Sequence, residues 1–318
     1  MRIAVLDDYL KVVDRLADWR EVRAQAEVVT FHSHLGSEDQ VAEALADFEI
    51  VVAQRERTQF PKSLFERLPK LKLLVTTAMR NRAIDLAAAQ SCGIVVCGTP
   101  VHPYPPSELT WALILALVTR IRDHDATVRT GEWLSGLHGT LHGKTLGILG
   151  LGTLGKQVAV VAPAFGMDVV AWSRNLTDEE AQVHGARRVH LDDLLKTSDI
   201  VSIHLFLSPE MKGLISRREF ELMKPTAYLV NTARGPIVDE AAMIDALQSG
   251  KIAGAGLDVY DEEPLPRDHT LRRLDNTVLV PHAAGLTEDG LSVMYGGAVE
   301  DILAYLNGSP IRVLNASA

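Results

Sequence analysis

The chain has 318 residues, 47% hydrophobic and 23% charged, with a formal net charge of −9. That length allows two domains, each able to bury its own core. The acidic balance disfavours a nucleic-acid surface, which needs an excess of Lys and Arg. The longest apolar run, residues 111–118, is too short to cross a bilayer, and RIAVLDD carries no basic-then-apolar leader, so a cytoplasmic protein is expected. Two cysteines, Cys92 and Cys97, are read around one strand with odd spacing. They would face opposite ways, which predicts neither a disulfide nor a metal pair and suits a reducing compartment.

Short β-branched runs alternate with helix-like stretches along the chain. Residues 3–6, 28–31, 50–53, 73–77 and 94–97 read as five buried strands, with amphipathic segments such as VAEALADF and AIDLAAAQ between them. Parallel neighbours need a helical crossover, so this is the pattern of βαβ units. TPVHPYPPSE then breaks the rhythm and reads as a crossing between domains. The apolar helix that follows is buried on nearly all sides, either in the core or against a second subunit.

A second βαβ series begins at Lys144, with strands at 145–149, 168–172, 200–204, 227–230, 254–257 and 278–280. Thr177 and Glu180 have capping-box spacing. Asp239 is placed to cap a helix that stops at Gly250. The stretch TEDGLSVMYGGAVEDILAYLNG reads as a final helix returning to the first domain.

GLGTLG follows the strand TLGIL and precedes KQVAVVAPAFG. In that setting Gly150 permits a tight turn, Gly152 lets backbone approach a pyrophosphate, and Gly155 allows close helix–strand packing. Amides at the helix start then face the phosphates. Pro163 predicts a kink or early end of that helix. The next strand ends at Ser173, Arg174 and Asn175, where an acidic residue would bond a ribose diol and repel a 2′-phosphate. Serine carries no repelling charge and arginine can fork onto a phosphate, so NADP is favoured over NAD.

Arg234 in NTARGPIVDE, Glu263 in GLDVYDEEPLP and His282 in VPHAAGLT supply a cation, a carboxylate and an imidazole. Hydride arriving at a ketone carbon builds charge on oxygen, which an imidazole can protonate. A carboxylate on the other ring nitrogen fixes the tautomer, and arginine offers a planar fork to a substrate carboxylate. Each residue alone has a bland reading as an ion pair, a solvated loop or a buried histidine. Their joint occurrence downstream of the glycine turn points to a carbonyl-reducing site, and no metal is expected.

From about residue 71 onward the chain resembles the D-isomer-specific 2-hydroxyacid dehydrogenases. The resemblance is strongest in LHGKTLGILGLGTLG, SDIVSIHLFLSPEMKGLI and the run 223–287. It implies an α/β fold of two doubly wound parallel-sheet domains, a Rossmann cofactor domain (99–285) inserted into a flavodoxin-like substrate domain (1–98 plus 286–318). It further implies that Arg234 holds the substrate carboxylate and carbonyl oxygen, that His282 is the acid/base, and that Glu263 is its partner. Asp258 would lie near the nicotinamide, with Gly150, Gly152, Thr153, Leu154, Gly155, Leu205, Thr232, Ala233, His282 and Ala284 along the cofactor cleft. A homodimer through the cofactor domain, domain closure over a small 2-keto acid, and NADP or NAD as cofactor are expected.

The chain departs from that family where relatives have a glycine-rich turn. Here TAMRNRAID puts Met79 and Arg80 in that position, with Asn81 able to tolerate an unusual backbone angle. Arg80 and Asn81 are therefore candidate substrate contacts, Arg80 favouring an additional anionic group. With the sequence ending at Ala318, serine feedback through a C-terminal regulatory domain is not expected. The alternative reading is a non-enzymatic, NAD(P)-sensing corepressor-like protein, which would bind the dinucleotide without turnover.

Overall fold

The computed structural model describes residues 1–134 and 136–315. It contains two compact units, Met1–His102 with Leu286–Ala318, and Pro103–Gly285. No described helix is long and apolar enough to cross a membrane.

The first unit is built on five parallel strands, β1 (Arg2–Val5), β2 (Glu27–Thr30), β3 (Ile50–Ala53), β4 (Leu73–Thr76) and β5 (Val95–Gly98), in the order β2-β1-β3-β4-β5. Every residue of β3 and β4 is buried, because helices cover both faces of a parallel sheet. One face carries Leu64, Phe60 and Phe65; the other is closed by the helix Glu288–Leu306, which lays Leu291, Met294, Tyr295, Ala298 and Ile302 against Ile3, Val5, Val52 and Val75. Thr287 caps that helix by accepting the Gly290 amide at 3.0 Å.

The free edge of β5 is covered by the residues after that helix. Cys97 pairs antiparallel with Val313, the Leu314 amide donates to Val96 O at 2.7 Å, and the Asn315 side chain bonds both Val96 N and Ile94 O. Arg312 fastens this segment by donating to Asp301 Oδ1 at 2.9 Å and to Gly297 O at 2.9 Å. Both cysteines are free, but they do not share a strand: Cys92 ends the helix Leu86–Ser91 and is exposed, whereas Cys97 is buried on β5. The turn at Gly93, with φ +71°, separates the two.

Seven parallel strands form the second unit: β6 (Thr145–Leu149), β7 (Asp168–Trp172), β8 (Arg187–Arg188), β9 (Ile200–Ile203), β10 (Tyr228–Asn231), β11 (Gly254–Leu257) and β12 (Thr277–Leu279). Their order is β12-β11-β10-β9-β6-β7-β8, the doubly wound arrangement. The two-residue strand β8 has no apolar run to announce it, and its exposed arginines read as loop. The helix Pro105–Thr119 packs Trp111, Leu113, Ile114, Leu117 and Val118 into the core beside β6 and β10. It is not buried all round, since Ala112 is exposed. Pro163 ends the helix Thr153–Val161, which continues only as a single tight turn, Ala162–Phe165. Thr177 with Glu180 forms a reciprocal cap, and Asp239 accepts the Ala242 amide at 3.0 Å.

Candidate active site

Strand β6 lies between β7 and β9, where the strand order reverses. Ligands of such sheets enter the crevice beyond the carboxyl ends of those strands. Gly150 has φ +100°, and a Cβ there would stand 2.7 Å from His204 O. A Cβ on Gly155 would stand 2.1 Å from Gly150 O, so the turn and the helix touch backbone to backbone. Gly152 differs, because a Cβ there would meet nothing within 4 Å. The protein's own packing requires the first and third glycines; open space lies above the second, at the start of the helix Thr153–Val161. That cradle fits a pyrophosphate seated on helix amides, with Thr153 and Leu154 in the first turn.

Beside the cradle, the Ser173 hydroxyl accepts the Leu151 amide at 2.9 Å, tying the end of β7 to the glycine loop. The Leu176 amide bonds Ser173 O, so Arg174 and Asn175 project from a turn whose far end, Leu176, is buried. Arg174 Nη2 lies 3.8 Å from Glu210 Oε2. Across the crevice, burial pushes the His204 imidazole down to about 4, and its Nε2 pairs with Ser202 Oγ at 2.8 Å. Leu205 follows it, with its side chain close to Gly150.

Arg234, Glu263 and His282 all belong to this unit and follow the ends of β10, β11 and β12. After β10, Asn231 shapes the turn by donating to Arg234 O at 3.0 Å and accepting the Ala233 amide at 3.0 Å. Thr232 bonds Thr110 at 2.8 Å. The next residue, Gly235, allows a close approach: a Cβ there would stand 2.1 Å from Tyr260 O and 2.7 Å from Asp261 N. The Arg234 turn therefore rests directly on the loop that carries Glu263.

Glu263 Oε1 accepts the Tyr260 amide at 3.0 Å, and Oε2 lies 2.6 Å from His282 Nδ1. A carboxylate can only accept, so Nδ1 carries the proton of this bond and Nε2 is left for other chemistry. Burial would raise the Glu263 carboxyl, but the His282 bond and charge, the Tyr260 amide and Arg234 together hold it below the usual range. His282 itself has φ +50°, an uncommon backbone state for a residue with a side chain. Asp258 enforces it: its backbone O accepts the His282 amide at 2.8 Å, and its carboxylate takes the Ala283 and Ala284 amides at 2.6 and 3.1 Å. Fully buried, Asp258 has its carboxyl pushed up to about 6 by desolvation. Tyr260 donates to Val280 O at 2.9 Å and joins the two loops.

Sequence reasoning singles out Arg234, Glu263 and His282 but not the contacts that hold them. Gly235 and Asn231 leave a trace, lying in the same motif as Arg234. Tyr260 shares the motif of Glu263, but its hydroxyl bond to Val280 O and the bond of Thr110 to the Thr232 hydroxyl join segments far apart in the chain and leave no local trace. His269, which has no motif, is also fixed: Nε2 bonds Glu240 at 3.0 Å and Nδ1 accepts the Leu271 amide at 3.3 Å.

Arg80 and Asn81 sit in the other unit, after β4. Asn81 does not adopt an unusual backbone angle; Arg55, after β3, takes φ +51° instead. The Asn81 side chain is consumed in bracing, donating to Arg55 O and to Thr76 Oγ1 at 2.8 Å while accepting the Ala83 amide at 2.8 Å. Met79 and Arg80 are exposed. Among the described residues, no group of three or more His, Cys, Asp or Glu is placed to hold a metal ion.

Residues 111–284 match the family described as D-isomer specific 2-hydroxyacid dehydrogenase, NAD binding domain. The chain is 44% identical over 263 residues to a glyoxylate reductase of Aeropyrum pernix, covering 79% of this chain and 78% of that protein. It is 30% identical over 325 residues to a hydroxypyruvate reductase of Blautia hydrogenotrophica, covering 99% and 100%. The crystal structure of a phosphoglycerate oxidoreductase from Vibrio cholerae matches with a TM-score of 0.91 and 30% identity, over 97% of this chain and 100% of that one. The chain belongs to the D-isomer-specific 2-hydroxyacid dehydrogenase family. It is an oxidoreductase that moves a hydride between a nicotinamide cofactor and a 2-keto acid or 2-hydroxy acid.

Proposed function

We propose that this enzyme reduces small 2-keto acids of the glyoxylate or hydroxypyruvate type to D-2-hydroxy acids, with NADP(H) preferred over NAD(H). The observation that carries the reading is the 2.6 Å pairing of His282 Nδ1 with Glu263 in the same unit as the glycine cradle. The relatives named for glyoxylate and hydroxypyruvate support the substrate class, with a 3-phosphoglycerate-like substrate as its outer limit.

When bound, the reduced nicotinamide supplies the hydride. Arg234 pairs with the substrate carboxylate and faces the carbonyl oxygen, stabilising charge there as it develops. His282 gives its Nε2 proton to that oxygen, and Glu263 stabilises the ring through Nδ1 while it is protonated. In oxidation the same nitrogen takes the proton back. Asp258 positions His282 through the backbone it holds, while Thr232, Ala233, Ala284 and Leu205 line the cofactor's path. Arg80 is a candidate contact for an extra polar or anionic substrate group such as the hydroxyl of hydroxypyruvate, while Asn81 braces its own turn through Arg55 O, Thr76 and Ala83.

Ser173 and Arg174 support NADP, because neither repels a 2′-phosphate and Arg174 projects from a fixed turn. A homodimer is supported by Trp133, Leu134 and Leu137, exposed at 79%, 81% and 93% beside a helix, Ile121–Arg129, with no buried residue. Such apolar surface marks an interface. A cytoplasmic setting without nucleic-acid partners suits the free thiols and the net charge of −9.

One absorbance assay tests the whole reading, pairing glyoxylate, hydroxypyruvate, pyruvate, longer 2-keto acids and 3-phosphohydroxypyruvate with NADH and NADPH. Turnover of the smallest acids, faster with NADPH, is expected. Negligible oxidation with every acid, or full activity in His282→Gln, would overturn it.

A further inference from the structure

We propose that Glu210 is a second determinant of cofactor choice, a carboxylate that competes with the adenosine 2′ substituent for Arg174. The inference rests on the NADP reading above and deepens it. Three observations place Glu210 in that role. Arg174 leaves the end of β7 from a turn fixed on both sides, by Ser173 on the glycine loop and by buried Leu176. The nearest carboxylate oxygen to its guanidinium is held separately: Ser208 Oγ donates to Glu210 Oε2 at 2.6 Å, in the single turn Pro209–Met211 that follows β9. The pair itself is loose, at 3.8 Å with both side chains more than half exposed.

These facts separate the two partners of Arg174. Ser208 is the largest influence holding the Glu210 carboxyl below its usual range, and Arg174 is the smallest, so Glu210 keeps its place and its charge when the arginine leaves. An exposed ion pair of this length contributes little, whereas a phosphate offers charge-assisted, bidentate bonds. With a 2′-hydroxyl, Arg174 stays with Glu210. With a 2′-phosphate it transfers, and the stranded carboxylate then repels the incoming dianion. Preference for the phosphorylated cofactor is thereby tempered, and the enzyme keeps access to both. Asn175, at the other central position of the turn, carries no charge and does not alter this balance.

The test uses the full chain and reads binding rather than turnover. Dissociation constants for NADPH and NADH are measured by nicotinamide fluorescence, with 2′,5′-ADP and 5′-AMP as competitors that report on the adenosine end alone. Removing one screened charge several ångströms from a phosphate is worth about threefold in affinity. Glu210→Gln should therefore tighten NADPH and 2′,5′-ADP about threefold and leave NADH and 5′-AMP unchanged. Glu210→Lys should give about tenfold, and both gains should shrink at high salt. Unchanged ratios in both variants, or equal shifts for both cofactors, would overturn the proposal. Arg174→Ala separates this outcome from failure of the parent reading. If it leaves the NADPH:NADH ratio untouched, the NADP reading itself falls. If it weakens NADPH alone while the Glu210 variants change nothing, only the competition falls.

Discussion

Gly235→Ala is the sharpest perturbation of this site, because it adds one methyl at the seam between the Arg234 turn and the Glu263 loop. The new Cβ would stand 2.1 Å from Tyr260 O, 2.2 Å from Tyr260 C and 2.7 Å from Asp261 N. Favourable carbon contacts begin at about 3.5 Å, so the two segments must part by roughly 1 Å. All three obstructing atoms are backbone, and no rotamer change relieves them. Tyr260 cannot move alone, since its amide holds Glu263 Oε1 and its hydroxyl holds Val280 O just before His282. Overpacking of this kind costs about 1–3 kcal/mol of stability. A displacement near 1 Å in a reacting site costs about a hundredfold in rate. The expected result is a folded variant with kcat down about a hundredfold and a Kd for NADPH close to wild type. Steady-state kinetics with glyoxylate, alongside NADPH titration by fluorescence, measures both. A folded Gly235→Ala enzyme with wild-type kcat would refute the claim that this seam aligns arginine with the imidazole–carboxylate pair.

Gly152→Ala should behave in the opposite way: nothing lies within 4 Å of the added carbon, so the melting temperature stays put while dinucleotide affinity falls at least about tenfold. Equal affinity in a titration would remove the pyrophosphate from that spot. Glu263→Gln should lower kcat by about ten- to a hundredfold with a smaller change in KM, because the lost charge matters most when the ring is protonated; an effect confined to KM would count against the assignment. Asp301 gives a pH signature in the other unit. Burial raises its carboxyl to about 7 despite Arg312, so its contribution to stability is complete below the unfolded value near 4 and is lost as pH rises through about 7. The wild-type melting temperature should therefore decline from about pH 4 to about 7 relative to Asp301→Asn and level off above that, and parallel curves across that window in calorimetry would contradict it.

Much of this molecule was legible because its signals are local. Parallel strands buried on both faces appear as runs such as IVVA and LLVT, and the observed ends fall within a residue of those expected for β3 and β4. The strand–GLGTLG–helix unit carries its own steric logic, and the two outer glycines prove to be required by backbone contacts of 2.7 and 2.1 Å. Arg234, Glu263 and His282 were visible as chemistry, and the structure joins the latter two at 2.6 Å. What escaped were relationships between distant segments. Asn81 has the residue type of a substrate contact, yet its amide is spent on Arg55 O, Thr76 and Ala83. Glu210 lies in an ordinary SPEM turn, and only the fold sets it beside Arg174. Strand β8 needed no apolar residues because it merely extends an edge already formed.

The long excursion between residues 102 and 286 has a consequence for how the protein is made. The first sheet lacks its cover until the helix Glu288–Leu306 arrives, since Leu291, Met294, Tyr295, Ala298 and Ile302 complete that face. The unit Pro103–Gly285, by contrast, holds all of its own strands in one continuous stretch. At about 5–20 residues per second, the ribosome needs roughly 10–40 s to traverse it. For that interval the opening hundred residues wait with one apolar face bare, while the dinucleotide-binding unit closes first. A released chain truncated at Gly285 should thus resist protease in the second unit and yield in the first. On this reasoning the part of the chain made first is the last to complete its core.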